Sequence, residues 1–117
     1  MPRFVILEHD HPHLHWDFML EVGEVLWTWR LATPPEGAAS RIVATRIGEH
    51  RRAYLDYEGQ VSGGRGTVKR WDAGTYDAIR IDDTRIEMSL HGQRFTGRAV
   101  LRRLDDGAWE LGIAAGD

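Results

Sequence analysis

The sequence predicts a mainly β protein, a small closed or nearly closed antiparallel β-barrel with short turn or helical pieces. Two observations carry this prediction: nine short runs are rich in β-branched and aromatic residues, and turn signals separate them. A third is that the sequence contains no convincing amphipathic helix longer than about two turns. Closing the sheet removes its exposed edges, which favours a barrel over the second choice, a β-sandwich.

The predicted strands follow one another at 3–9, 15–22, 24–31, 41–47, 66–72, 76–82, 85–91, 94–104 and 108–114. Turn signals between them include VGEV, DAGT, IDDTR, LHGQ and LDDGA, which are rich in glycine and aspartate. The segment ATPPEGAAS at 32–40 is expected to be a loop with a short turn after its prolines. No repeat or linker divides the chain, so a single domain is expected over 1–117.

The second and third strands are expected to form a hairpin with a defined register. Gly23 suits the first central position of a two-residue type II′ turn, which would pair Asp17 with Arg30 and Met19 with Thr28. Because side chains alternate between faces, one face is wholly apolar and predicted to be core: Trp16, Phe18, Leu20, Val22, Val25, Trp27, Trp29 and Leu31. The other face carries His15, Asp17, Met19, Glu21, Leu26, Thr28 and Arg30.

The amino-acid composition and net charge exclude several classes of function. The chain has no cysteine, which excludes disulfides, zinc knuckles and thiol nucleophiles. It has no apolar leader and no run near the roughly 18 apolar residues of a membrane span, so a soluble cytoplasmic protein is expected. A net charge of −3 argues against a generally basic nucleic-acid coat protein but allows local recognition. Basic residues do concentrate in RIGEHRR and GGRGTVKR, where solvated loop charges are an equally good interpretation.

The stretch LEHDHPHLHWD concentrates side chains that bind metals. Four histidines occupy alternate positions and an aspartate follows them: His9, His11, His13, His15 and Asp17. Pro12 is expected to interrupt the strand, and a bulge or loop there can bring His9 back towards His15 and Asp17. Two imidazoles and a carboxylate suit a divalent transition metal, and manganese, iron, cobalt and zinc are all compatible by ligand type. Solvated histidines, or adventitious nickel or zinc binding, are the alternative interpretation.

Four blocks of the sequence resemble the 3′-phosphoesterase module of bacterial DNA ligase D. In chain order they are LEHDHPHLHWDFMLE, EHRRAYLDYEG, GRGTVKRWDAGTY and LHGQRFTGRAVLRRL. The first is similar to the family signature of His, several residues and then Leu-His-Tyr/Trp-Asp-x-x-Leu-Glu. The second is similar to His-x-x-x-Tyr-x-x-Phe-Glu-Gly. Because the blocks cover most of the chain at comparable spacing, the chain is identified as a member of this family, and we expect a short stand-alone module.

The resemblance implies a small β-barrel with a central hydrophilic cavity and a manganese-dependent activity on DNA or DNA–RNA 3′ ends in DNA repair. Zinc or cobalt are alternatives to manganese. Such an enzyme removes a 3′-phosphate and trims a terminal ribonucleotide, which leaves a 3′-OH ready for joining. Separate ligase, polymerase or end-binding repair proteins are the partners that such a module would have.

The resemblance also assigns roles by position. His9, His15 and Asp17 match the metal ligands of the family. His50 matches a catalytic histidine that contacts the scissile phosphate, and Tyr54 matches an active-site tyrosine. The other two histidines of the opening run, His11 and His13, match no functional position and are expected to face solvent or lie in a loop.

One position departs from the family pattern. Where the family has a phosphate-binding arginine two residues after the metal-binding aspartate, this chain has Met19, which can neither carry charge nor donate a hydrogen bond. The hairpin register offers Arg30 as a replacement, because it faces Asp17 and is long enough to lean over Met19. The alternative is a structural salt bridge from Arg30 to Asp17 or Glu21. Weaker substitutes are Arg51, Arg52 and Arg65.

Three functions are therefore compatible with the sequence. The first is a metal-dependent 3′-phosphoesterase, supported by the joint presence of the matched site residues named above. The second is a catalytically weakened module that binds metal and DNA ends, and the third is a metal-dependent hydrolase of a small phosphorylated molecule. The methionine at position 19 supports the second and third.

Overall fold

A computed structural model describes residues 1–36 and 41–116 of the chain. The described elements are strands β1 (Arg3–His9), β2 (His15–Val22), β3 (Val25–Leu31), β4 (Arg41–Arg51), β5 (Gly59–Gln60), β6 (Thr67–Ile81), β7 (Arg85–Gly92), β8 (Thr96–Arg103) and β9 (Trp109–Ala115), with a short 3-10 helix at Arg52–Leu55. Of the predicted loop at 32–40, the described part has no regular structure. The turn predicted after its prolines falls largely at 37–40, outside the described residues.

Eight of the strands form a closed antiparallel ring. Their order is β1, β2, β3, β4, β9, β8, β7 and β6, and pairing of β6 with β1 closes the sheet. Within the described residues, the two-residue strand β5 pairs only with β6, outside the ring. The predicted β-barrel is thus confirmed. Within the described residues, no helix is long and apolar enough to cross a membrane.

The β2–β3 hairpin has the predicted register. Asp17 faces Arg30, Met19 faces Thr28 and Val22 faces Val25 across the pair. Gly23 has a φ of 61°, a conformation that L side chains rarely adopt and that the first central position of a primed turn requires. This register fixes which side chains of β2 share a face with those of β3, so it also decides where the polar face lies.

The interior of the barrel is apolar. One buried cluster draws side chains from all eight strands of the ring, among them Phe4, Phe18, Trp29, Ile42, Trp71, Ile86, Leu101 and Leu111. Residues from opposite strands can touch in this way only inside the ring, whereas alternate positions on β4 and β8 such as Val43 and Arg98 are exposed. The expected central hydrophilic cavity is therefore wrong for this chain: apolar side chains fill the centre, and the polar face is on the outside.

A second apolar cluster lies under that outer face. It contains Val5, Leu7, Met19, Leu26, Leu55, Val61 and Val68, with Tyr54 packed against it. The 3-10 helix and the segment that follows it cover this part of β1, β2 and β3, so the wall of the barrel is buried on both sides here. Side chains that project from this part of the sheet are therefore attached to strands with apolar packing on both faces.

The predicted turn DAGT at 72–75 is wrong. β6 is one continuous strand from Thr67 to Ile81, with a register shift against β1 near Trp71. Gly74 pairs with Phe4 on one side and Gly92 on the other. A Cβ at position 74 would lie 2.0 Å from the carbonyl oxygen of His91. This glycine therefore permits close strand approach and does not mark a turn.

Candidate active site

His9, His15 and Asp17 meet at the open end of the β1–β2 pair. His9 ends β1, His15 begins β2, and the two face each other across the ladder. The Nδ1 atom of His9 is 3.3 Å from Oδ2 of Asp17, and the Nε2 atom of His15 is 3.2 Å from the same oxygen. One ligand atom from each residue lies within 4.8 Å of the others. The three predicted metal ligands are thus brought together.

Each of the two histidine rings has one nitrogen that faces Asp17 and one that faces a backbone carbonyl. The carbonyl determines which nitrogen carries the hydrogen. Nε2 of His9 lies 2.8 Å from the carbonyl oxygen of Arg65, and Nδ1 of His15 lies 2.9 Å from that of His13. A carbonyl only accepts, so each ring donates its N–H there and, when neutral, turns a lone pair towards Asp17. Such carbonyl partners are typical of histidines that bind metals, because they fix the tautomer and the ring orientation.

Two lone pairs and a carboxylate directed at one point repel each other unless a proton or a metal cation lies between them. Asp17 is 3% exposed, and its Oδ1 atom is buried without a hydrogen bond from any described residue, although His15 Nε2 lies 3.2 Å away. A buried carboxylate oxygen without a donor is costly. The donor set of two imidazole nitrogens and one carboxylate therefore fits a divalent transition metal with open positions.

A clasp between Asp10 and Thr67 supports the site from the side. The Asp10 carboxylate accepts hydrogen bonds from the Thr67 amide at 2.7 Å and from its hydroxyl at 2.9 Å. These bonds hold the pKa of Asp10 below its usual range. Gly66, between Arg65 and Thr67, has a φ of 75°, and a Cβ there would lie 2.2 Å from Asp10 Oδ1. The clasp thereby holds the Arg65 carbonyl against His9.

His50 and Tyr54 lie on the same outer surface, beyond the Met19–Thr28 pair. Nδ1 of His50 is 2.9 Å from the Gly48 carbonyl and 3.0 Å from the Thr28 hydroxyl. Because the carbonyl must accept, Nδ1 carries the hydrogen and Nε2 is left to meet a ligand. The ring of Tyr54 packs edge-on against that of His50, with centroids 5.7 Å apart.

Arg30 has the position that the hairpin register predicts, and the alternative salt bridge is not seen among the described residues. In that part of the chain Arg30 makes no ion pair, and its Nε atom is buried without a hydrogen bond. Glu21 instead pairs with Arg52 at 2.7 Å and accepts from the Arg3 amide. The guanidinium of Arg30 is thus a partly buried cation beside the His15–Asp17 pair, available to an anion.

Met19 does not reach into the site. Its side chain is 1% exposed and belongs to the second apolar cluster, beneath the polar face. Position 19 therefore contributes packing in this chain.

The basic segments do not form one cationic patch within the described structure. The guanidinium carbon of Arg46 lies within 4.7 Å of the ring centres of Trp27 and Trp29. Lys69 pairs with Glu8, and the Nε atom of Arg65 donates to the Ser62 carbonyl. These interactions favour the interpretation of local structural charges over that of a broad nucleic-acid patch.

Several supporting groups could not be identified from the motif alone. They are the Arg65 and His13 carbonyls, the Asp10–Thr67 clasp and the Thr28 hydroxyl. The glycine-rich segment before β6 was the one indication of these groups in the sequence, because clustered glycines mark backbone that approaches another group closely. His11 and His13 have exposed side chains, and His13 contributes to the site only through its backbone.

The fold and the site define a class: a small closed β-barrel that carries a candidate metal centre on its outer wall. The family of DNA ligase D 3′-phosphoesterase domains matches this chain over residues 7–103. The chain belongs to this family. Membership supports a phosphoesterase role in DNA repair.

Two relatives show the extent of the similarity. The multifunctional non-homologous end joining DNA repair protein LigD of Mycobacterium tuberculosis is 33% identical over 114 residues, which cover 91% of this chain and 15% of that protein. The LigD protein of Pseudomonas aeruginosa is 31% identical over 113 residues, which cover 86% of this chain and 13% of that protein. The chain thus spans only a small part of the relatives that it matches.

Proposed function

We propose that the chain is a metal-dependent 3′-phosphoesterase that acts on DNA or DNA–RNA 3′ ends in DNA repair, with Mn²⁺ as its metal and zinc or cobalt as alternatives. The reaction proposed is hydrolysis of a terminal 3′-phosphomonoester, with removal of a 3′-ribonucleotide as a second activity. The observation that carries the proposal is the convergence of two histidine lone pairs and a buried carboxylate beside Arg30, which has no ion pair within the described residues. DNA 3′ ends are proposed as the substrate because of the family match and the end-joining relatives.

His9 Nδ1, His15 Nε2 and a carboxylate oxygen of Asp17 would hold the metal. A bound divalent metal supplies Lewis acidity towards a phosphoryl oxygen and favours a nucleophilic water. The protein holds these three donors ready, because backbone carbonyls orient both rings and the packed wall fixes the carboxylate. Little reorganisation is then needed when an anionic ester arrives.

Arg30 and His50 are proposed to bind the phosphoryl group from two sides. Arg30 faces Asp17, and its guanidinium can donate paired hydrogen bonds to phosphate oxygens. His50 can donate from Nε2 when protonated and accept there when neutral, so it can bind the phosphate or protonate the leaving oxygen. Tyr54 is proposed to orient His50 through ring packing.

The test is hydrolysis of a 3′-phosphorylated primer-template by the purified chain with Mn²⁺. Asp17→Ala should lower turnover at least about 100-fold, because it removes the shared carboxylate. Asp77→Ala is a matched control, since Asp77 also pairs with a histidine, His91, at an exposed place on the barrel. Calorimetric titration with Mn²⁺ gives a second measurement, in which Asp17→Ala should lose binding and Asp77→Ala should keep it.

A second candidate function is a module that binds metal and DNA ends without turnover. Met19 is the specific observation in its favour, because the family places a phosphate-binding arginine there. Binding of the primer-template end without phosphate release in Mn²⁺, Zn²⁺ or Co²⁺ would overturn the enzymatic proposal and support this one. Equal phosphate release by the wild type and by Asp17→Ala would contradict both candidate functions.

A further inference from the structure

A groove next to the candidate metal site combines the Arg30 guanidinium with exposed apolar side chains. We call it the β3–β4 groove. It is about 270 Å³ in volume, and its lining includes Leu14, His15, Arg30, Ala32, Val43 and Thr45. His15, a proposed metal ligand, and Arg30, a proposed phosphate-binding residue, therefore both line this groove. A phosphate bound at the site would lie at one end of it.

The strand register explains why the β3–β4 groove forms. Arg30 faces Thr45, and continuing that register by one more outward position places Ala32 beside Val43. Continuing the β2–β3 register in the same way places His15 on the other side of Ala32. A small alanine therefore sits between two larger side chains, on the same outer wall as Asp17.

The apolar lining is exposed to an unusual degree. Leu14 is 55% exposed and Val43 is 69% exposed, although both lie beside a charged site. They are two of only six large hydrophobic side chains that are exposed in the described part of the chain. Their presence together in one groove points to an apolar ligand surface, since scattered exposed residues need no explanation but clustered ones do.

We propose that the β3–β4 groove binds the terminal nucleoside of the substrate, with Leu14 and Val43 against the base or sugar while Arg30 holds the 3′-phosphate. This inference rests on the proposed function and names the part of the substrate that the site recognises. A nucleoside 3′-phosphate has an anionic group joined through a sugar to a planar aromatic base, and the groove likewise has a cationic group, Arg30, followed by the apolar side chains of Leu14 and Val43.

A second depression near the site is less suited to this role. It is lined by Arg51, Ala53, Tyr54, Tyr57, Gln60, Val61 and Ser62, and it includes neither Arg30 nor a residue of the metal-binding triad. The rings of Tyr54 and Tyr57 already pack edge-on against each other, with centroids 5.9 Å apart.

The kinetic test compares Leu14→Ser and Val43→Ser with Ile79→Ser, an apolar residue of β6 that is 48% exposed away from the groove. On a 3′-phosphorylated oligonucleotide with Mn²⁺, each groove variant should raise KM about five- to tenfold, because apolar contact with the nucleoside is lost. Values of kcat should stay within about twofold, and the inhibition constant of inorganic phosphate should not change. Ile79→Ser should match the wild type. Groove variants that behave like Ile79→Ser would overturn the inference while leaving the proposed function intact.

A binding measurement separates the two proposals independently of turnover. In nuclear magnetic resonance titrations of the full chain with chelator present, deoxyadenosine 3′-monophosphate should shift the methyl signals of Leu14 and Val43 and the Nε–H signal of Arg30. Inorganic phosphate should shift Arg30 alone. Shifts at Tyr54 and Tyr57 in place of the groove methyls would overturn the inference, and no response of Arg30 to either probe would contradict the phosphate site as well.

Discussion

At the residue scale, position 19 holds a methionine where the family resemblance implies an arginine, and this difference affects both the packing of the position and the charge of the site. Met19 is buried among apolar side chains, where an arginine would bring a charge into the second cluster unless its head reached the surface. Arg30 stands on the neighbouring strand with a buried Nε atom that has no hydrogen-bond partner among the described residues. The register places its guanidinium opposite Asp17, and it makes no ion pair among the described residues, which is why we assign the phosphate-binding role to Arg30.

We predict that Arg30→Ala lowers kcat/KM for a 3′-phosphorylated end by about 100- to 1000-fold, because a charge-assisted phosphate contact is lost. Arg30→Lys should recover part of this loss, since it keeps the charge but not the paired donors. Steady-state kinetics of the purified variants provide the measurement.

Arg98→Ala serves as the control, because Arg98 is an exposed arginine on β8. The thermal midpoint of Arg30→Ala should stay close to that of the wild type, since Arg30 makes no ion pair within the described residues. Unchanged kcat/KM in Arg30→Ala would show that the missing family arginine is not replaced from this position.

At the scale of elements, two segments assemble the site. The β1–β2 connection returns His9 to a place opposite His15, and the segment before β6 presents a carbonyl to His9. Asp10 and Thr67 tie the two segments together. The metal-binding face therefore depends on a contact between residues more than fifty positions apart, which a local motif does not contain.

We predict that Gly66→Ala weakens Mn²⁺ binding about 10- to 100-fold, because the added Cβ would displace Asp10 and move the Arg65 carbonyl away from His9. It should also lower the free energy of unfolding by about 1–3 kcal/mol through backbone strain. Calorimetric titration and thermal unfolding measure the two effects.

Gly64→Ala is the matched control for strain alone. Gly64 has a φ of 68°, similar to that of Gly66, but a Cβ added there would have no described atom within 4 Å beyond its chain neighbours. This variant should lose stability while keeping its Mn²⁺ affinity. Equal loss of affinity in both variants would mean that the clasp does not orient the site.

At the scale of the whole molecule, closure of the ring gives the site a rigid support. β1 pairs with both β2 and β6, so the strand that carries His9 has no free edge. Surface turns between the strands contribute to stability through hydrogen-bonded carboxylates. Asp82 accepts hydrogen bonds from the Thr84 amide and hydroxyl, from the Arg85 amide and from Arg80.

We predict that acid destabilises the barrel partly through Asp82. The hydrogen bonds from Thr84, followed by that from Arg80, hold the pKa of this carboxyl well below its ordinary value of 3.8. Its contribution is therefore fully present above that unfolded-state value and is lost as the pH falls through the folded-state pKa. The contribution of Asp82 to the free energy of unfolding should be nearly constant above about pH 5 and should fall below about pH 4.

Denaturant unfolding as a function of pH checks this prediction. Asp82→Asn should reduce the loss of stability on acidification, because the titrating carboxyl is removed. Asp83→Asn, at the next position in the same turn, is the matched control for the removal of one surface carboxyl. A slope that Asp82→Asn does not alter would assign the acid sensitivity to other carboxyls.

Much of the fold could be predicted, because its signals are local. Period-two alternation in β2 and β3 and the turn glycine at position 23 specified a register that the structure reproduces. The break between two predicted strands in β6 was wrong, because Gly74 serves a close approach to β7 that only strand pairing reveals. The predicted site roles of His50, Tyr54 and Arg30 stay predictions until the variants are measured.

By itself, the sequence determined the class of fold, because strand alternation and turn residues are encoded locally. Four motif blocks indicated the family, and the resemblance to that family implied the grouping of His9, His15 and Asp17. Only the tertiary structure decided that the site lies on the outer wall, since barrel closure turns the aromatic face inwards. The tertiary structure also decided that the Arg65 carbonyl contacts His9, that Thr67 holds this segment through Asp10, and that Met19 is buried. Those contacts join distant segments, and their geometry arises only when the sheet closes.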